Sequence, residues 1–270
     1  MRLARFSFLS VALSVAVFVS SCILSDDVDR FSFALPEKTY QMDAASMGMD
    51  TSTEISCDPA DDMCPLVDAA LVCDGGQNVC VLSDTAVFPT IDCSGEDVCV
   101  ELGGPFFCDA RYDACSVETP IQLSAAVHLS EEVEEIKEVG NLTFTEVTLE
   151  SLFFDVEVNT LGVASPPMGL YVADNGVLEL SFDETGEVIT PGVHRVGTLP
   201  SVPANFTGRK DAVLTGAGRE ALSTYVKEPD VPFKLFVAGI VSVSPGQALP
   251  NQDGQFRVVI SGTATAETNL

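Results

Sequence analysis

The chain predicts a mainly β protein: an antiparallel β-sandwich with two short helices, carrying a small disulfide-rich loop segment. Three observations predict it. From Thr119 onward, Val, Leu, Ile and Phe recur at every second position between turn signals, the period of strands with one buried face. Eight cysteines crowd into residues 57–115 and none follows them. The 270 residues are 46% hydrophobic, enough for a sizeable core in one or two domains.

In chain order, Arg2 and Arg5 precede the apolar run Phe6 to Val19, the layout of a secretory signal peptide. Fourteen residues diluted by Ser7, Ser10 and Ser14 are short for a membrane span, which needs about 20. The run ends in Val19-Ser20-Ser21-Cys22, which resembles the lipobox of bacterial lipoproteins. The resemblance implies cleavage after residue 21 and a diacylglyceryl, palmitate-bearing Cys22 that holds the protein on a membrane. Several acyl chains on one residue anchor stably where a single chain does not. Ile23 stands where an inner-membrane retention Asp would sit, so the resemblance implies the outer membrane, on its periplasmic or surface face. Residues 22–56 then read as an acidic tether plus a candidate edge strand in Phe31 to Tyr40. Pro36 confines that strand to an edge, and its pairing with the C-terminal sheet would make the cysteine segment an insertion.

Residues 57–118 form the cysteine-rich acidic segment. With Cys22 assigned to lipid, Cys57, Cys64, Cys73, Cys80, Cys93, Cys99, Cys108 and Cys115 make an even set, the sign of disulfides in an exported protein. They fall as four close pairs that look like a degenerate repeat, each with Asp or Asn (Asp62, Asn78, Asp97, Asp113) two residues before its second cysteine. Asp58, Asp74 and Asp109 follow the first cysteine in three of them. Eight cysteines allow 105 pairings, and spacing does not choose among them. If each close pair shut its own loop, the chain-entropy account would credit about 2.5 kcal/mol per bond. The segment holds no CxxC and no histidine, which disfavours zinc and c-type haem.

Twelve acids and one base lie between Cys57 and Cys115. A solvated acidic surface is the expected reading. Calcium held by Asp58, Asp62, Asp74, Asp97, Asp109 and Asp113 is the alternative, since calcium takes six to eight oxygens, although no EF-hand loop is present.

In residues 119–270, Ile121 to Leu129 alternate as one strand. Phe144, Val147, Leu149, Phe154, Val156 and Val158 read as a long bulged strand or as two. A helix is expected with Ser130 as N-cap and Gly140 as its stop. Asp174-Asn175-Gly176 predicts a hairpin into a strand through Leu178, Leu180 and Phe182. A second helix spans about Gly216 to Lys227, ended by Pro229, and strands follow at Phe233–Val243 and Phe256–Ile260.

Thirteen Lys and Arg against 40 Asp and Glu leave a net charge of −27, which excludes nucleic acid as a partner because the phosphate backbone would repel the chain. Neither His128 nor His194 belongs to a catalytic motif, and Gly216-Ala-Gly-Arg-Glu-Ala221 matches a dinucleotide fingerprint only on paper, lacking a parallel βαβ context. The expected function is therefore a lipid-anchored envelope protein in binding, adhesion or structure, with an envelope protein as candidate partner. The alternative is a secreted calcium-dependent hydrolase using acidic residues.

Overall fold

The computed structural model describes residues 29–44, 52–57, 71–74, 76, 78–82, 87–88, 90–93, 99, 106–139, 144–183, 185–251 and 253–268. The signal segment, Cys22, Cys64, Asp58, Asp62, Asp97 and Gly140 lie outside them.

Two antiparallel sheets face each other. One has the order β1-β13-β7-β10, from β1 (Asp29–Asp43), β13 (Gln255–Thr268), β7 (Phe144–Asn159) and β10 (Gly208–Asp211). The other has the order β11-β9-β8-β12-β6-β5, from β11 (Val213–Leu214), β9 (His194–Leu199), β8 (Met168–Asp174), β12 (Phe233–Val243), β6 (Ala114–Val127) and β5 (Phe106–Asp109). Phe33, Tyr40, Leu152, Phe154, Val156, Leu170, Val172, Leu235, Val237, Phe256 and Val258 fill the space between them. The Tyr40 hydroxyl donates to the Leu235 carbonyl at 3.2 Å, a polar link buried between the sheets. Burial pushes that phenol's pKa up.

Residues 29–43 are thus a full member of the sandwich, pairing with β13 from Asp29↔Thr268 to Asp43↔Gln255. The strand lies at the edge, and its register breaks between Leu35 and Lys38, around Pro36, which has no N–H to give a ladder. The edge strand expected at Phe31 to Tyr40 thus forms and runs longer, whereas the insertion expected over the whole cysteine segment holds only in part, because β5 and the start of β6 belong to the sandwich itself.

β7 is one 16-residue strand, not two. Its pairing with β13 slips three times, between Arg257 and Val258, between Thr263 and Ala264, and between Glu267 and Thr268. Each slip leaves one extra β7 residue, so the inward positions advance by three there: Phe144 to Val147, Leu149 to Leu152, and Val156 to Asn159. Asn159, not Val158, faces inward as a result, and its amide donates to the Pro203 carbonyl.

The first helix departs from expectation. It is split into α1 (Leu129–Glu132) and α2 (Glu134–Val139), with the break at Val133. His128, not Ser130, is its N-cap; the cap side chain makes no hydrogen bond, and the Glu132 carboxylate accepts from the His128 N–H at 2.9 Å instead. Glu132 also pairs with Lys38, tying the helix to β1. Burial opposes ionisation of Glu132, but the Lys38 and His128 donors outweigh it and hold its pKa low.

The second helix, α3 (Gly216–Val226), matches expectation, capped by Thr215, whose hydroxyl accepts from the Gly218 N–H at 2.9 Å. It packs across one end of the sandwich: the Arg219 guanidinium donates to the Leu149 carbonyl of β7 at 2.7 Å, and the Thr215 N–H donates to the Val196 carbonyl of β9 at 3.2 Å.

The expected strand through Leu178, Leu180 and Phe182 does not form. After the turn at Asp174–Val177 the chain becomes an irregular loop, residues 175–193, with one bridge between Phe182 and Val188. The reason is its destination: it lies over the outer face of β8 and β12 rather than joining a sheet. Leu180 is buried against Tyr171, Ala173, Phe236 and Ala238, with Val177, Phe182, Val188 and Val193 packed around it, whereas Leu178 is 78% exposed. The Lys234 ammonium donates to the Val177 carbonyl, and the Leu180 N–H donates to the Gln122 side chain, both at 2.7 Å. This second small core explains why all six residues Met168–Ala173 are buried: both faces of β8 are covered.

Candidate functional site

Among its described residues the cysteine segment shows two hairpins of like build. Cys73 and Cys80 stand opposite each other across the hairpin β3 (Leu71–Asp74) and β4 (Val79–Leu82), as Cys108 and Cys115 do across β5 and β6. No facing pair is bonded to itself. Cys57 bonds Cys73, Cys93 bonds Cys108 and Cys99 bonds Cys115, and Cys80 is disulfide-bonded as well. The bonds reach 15 or 16 residues back, so loops closed within each close pair are not what forms. Two opposed cysteines with one turn between them point to the same side of a hairpin, and each is then free to staple the segment that precedes it.

The halves sit differently. β2 (Ser52–Ser56), β4 and β3 make a separate three-stranded sheet. The second hairpin is part of the sandwich itself: β6 carries Cys115 at one end and Val127 at the other, so the change of texture at Thr119 falls inside a strand. Phe88 and Ile91 are fully buried; the Phe88 N–H donates to Gln247, and the Cys115 N–H donates to Ile91.

The acids have local duties. Asn78 (φ 57°) and Asp113 (φ 47°) occupy the same place in the two hairpins, both in the left-handed region that Asn and Asp tolerate best. Asp109 accepts from the Arg111 backbone N–H at 2.9 Å and from its guanidinium, and these hydrogen bonds hold its pKa below the usual carboxylate range. Asp74 is the corresponding residue of the first hairpin. Among the described residues the sole convergence of ligating atoms is Cys93, Cys99 and Cys108, whose sulfurs are already in disulfides.

The Gly216–Ala221 glycines serve packing. A Cβ at Gly218 would stand 1.9 Å from the Val196 carbonyl oxygen, so only glycine lets α3 lie this close to β9. Val196 is itself special. β8 pairs with β9 as Leu170↔Gly197 and then Tyr171↔Arg195, which leaves Val196 as the extra residue of a bulge. The bulge puts Arg195 directly across from Tyr171.

That pair marks a feature absent from the sequence reading, a cleft of about 440 Å³ between the 175–193 loop and the sheet. Pro167, Gly169, Ala238 and Gly239 line its sheet side, and Gly186, Glu187, Val188 and Val193 line its loop side. Tyr171 and Arg195 border it together. Tyr171 is 7% exposed, its ring lies over Gly169, and its hydroxyl has no hydrogen-bond partner among the described residues. Burial raises its pKa, Arg195 opposes that rise, and Glu187 adds to it. Arg195 donates to Thr198 and meets no carboxylate within ion-pair distance among the described residues.

The loop side is held by Asp183, whose carboxylate accepts from the Thr185 hydroxyl (2.7 Å) and from the Thr185 and Glu187 N–H groups (both 2.9 Å). These bonds, the Thr185 hydroxyl foremost, lower its pKa. The Asp183 clamp is thus complete above the ordinary Asp range and lost as pH falls through the lowered value. A second opening, about 500 Å³, lies beside α3 and is lined by Asp174, His194, Glu220, Tyr225 and Glu228. His128 sits at the start of α1 near Glu131.

These features define a class: a two-sheet antiparallel sandwich with a twice-repeated disulfide hairpin and a loop-covered cleft. No protein-family model matches the chain, and no curated protein matches it closely enough to count as a relative. Among solved structures the chain is similar to turnip yellow mosaic virus, at 11% identity over 57% of this chain and 82% of that one, TM-score 0.24. It is likewise similar to Desmodium yellow mottle tymovirus, at 13% identity over 57% and 88%, TM-score 0.20. Scores this low carry no argument about what the protein does.

Proposed function

We propose that this chain is a lipid-anchored protein of the bacterial cell envelope, held in the outer membrane by Cys22, whose sandwich serves binding, adhesion or assembly with another envelope component. What carries the reading is the coincidence of two independent marks of export, the lipobox at Val19–Cys22 and the disulfides of the 57–115 segment. Geometry supports it: β1 begins at Asp29, so seven residue steps from Cys22 keep the end of the sandwich within about 25 Å of the lipid. Asp26, Asp27 and Asp29 in that span would hold the acidic body off anionic headgroups.

Cys22→Ala tests the anchor. The variant is expected to lose palmitate labelling and to leave the detergent phase on partitioning. A variant that stays membrane-bound and unprocessed would mean that residues 6–19 act as a transmembrane anchor, and the lipoprotein reading would fall.

A further inference from the structure

We propose that the cleft under the 175–193 loop is a binding site for a small zwitterion of amino-acid size with an apolar side chain, its carboxylate held by Arg195 and Tyr171 and its ammonium by Glu187. The inference rests on the binding role proposed above and names its ligand class.

Four observations carry it. Tyr171 is more than nine-tenths buried, yet its hydroxyl borders the cleft without a partner. The ring is packed away while the hydroxyl opens into the cleft, where it is free to donate to a ligand's carboxylate or to water. Arg195 stands beside it without a carboxylate, in a chain with about three acids for every base. The β9 bulge at Val196 aims it there, a use typical of bulges beside sites. Glu187 lies on the opposite wall and forms no ion pair with Arg195 among the described residues, so the cleft presents separated charges of both signs. A simple anion would be repelled by Glu187 and by the net charge of −27; a simple cation would meet Arg195. A zwitterion satisfies both.

The remaining lining sets size and polarity. Val188, Val193 and Ile240 supply the apolar part of a lining that is otherwise mostly polar. The Tyr171 ring fills the space over Gly169, Ala238 adds little bulk beside it, and Gly186 (φ 78°) sits so close to Ile240 that a Cβ there would approach its Cδ1 to 2.5 Å. A volume near 440 Å³ lies within the usual range for small-molecule sites.

The test is calorimetric titration of the full-length protein in detergent with leucine, leucinamide and 4-methylpentanoate. These share one side chain and carry both charges, the cation alone and the anion alone. Leucine is expected to bind at least tenfold more tightly than either analogue. Arg195→Gln and Tyr171→Phe should each weaken leucine about tenfold, the scale of one lost charge-assisted hydrogen bond. Glu187→Gln should weaken leucine while strengthening 4-methylpentanoate, a reversal that general loosening of the loop would not produce. Circular dichroism confirms that each variant is folded; Arg195 and Glu187 are exposed, so their replacement leaves the core intact. No heat with leucine at millimolar concentration, equal binding of all three probes, or leucine affinity unchanged in both Arg195→Gln and Tyr171→Phe would overturn the proposal. Palmitate labelling of the same preparation separates the outcomes: a labelled protein that binds no leucine loses the cleft assignment and keeps the anchor.

Discussion

Gly218 shows how one atom's absence reaches a site in another element. It lets the start of α3 rest on the Val196 carbonyl, the bulged residue that turns Arg195 toward Tyr171. Gly218→Ala would force the helix off β9 and is expected to destabilise the protein by about 1–3 kcal/mol, the cost of overpacking a close contact. Urea unfolding followed by circular dichroism checks this, and an unchanged midpoint would mean that the helix moves without cost. Glycines at a helix start were visible in the sequence; the carbonyl they accommodate was not, because Val196 is 22 residues away and meets Gly218 only in the fold. The same holds for Asn78 and Asp113. Their spacing before a cysteine was legible, while their left-handed backbone, the reason for that residue type, follows from the hairpin turn.

At the scale of elements, the two cysteine hairpins call for a definite bond map. Proteolysis under non-reducing conditions followed by mass spectrometry is expected to yield Cys57 joined to Cys73, Cys93 to Cys108 and Cys99 to Cys115, with no alkylatable thiol among them. A Cys57–Cys64 or Cys108–Cys115 peptide would contradict the structure. Removing the Cys99–Cys115 bond by paired Ala substitutions should cost about 3 kcal/mol, the chain-entropy value for a loop of this length. The loss should spread into the sandwich, because Cys115 lies on β6. β7 makes a related point. Its triplet steps were readable as breaks in a period of two, but whether they meant one bulged strand or two depended on β13 running unbroken beside it.

For the whole molecule, charge dominates. A net of −27 makes the compact state repel itself, so added salt of any kind should raise the melting temperature by screening. The useful experiment compares millimolar calcium with chelator at matched ionic strength. An equal midpoint is the expected result, because Asp109 is committed to Arg111 and no carboxylates converge among the described residues. Calcium at 100 times its dissociation constant would add about 2.7 kcal/mol, a shift large enough to see and to revive the calcium reading.

The sequence by itself determined the properties that depend on composition and short-range pattern. These are a mainly β chain, a disulfide-bonded acidic segment, the α3 span with Pro229 beyond its end, and an edge strand around Pro36. Strand period, capping and proline chemistry act within a few residues, so they are written locally. Tertiary structure alone decided which cysteines join, and that the chain after Asn175 covers a sheet instead of extending one. It also decided that Tyr171, Glu187 and Arg195 border one cleft. Those outcomes depend on which surfaces are left to bury once both sheets have formed, and that sum runs over the whole chain.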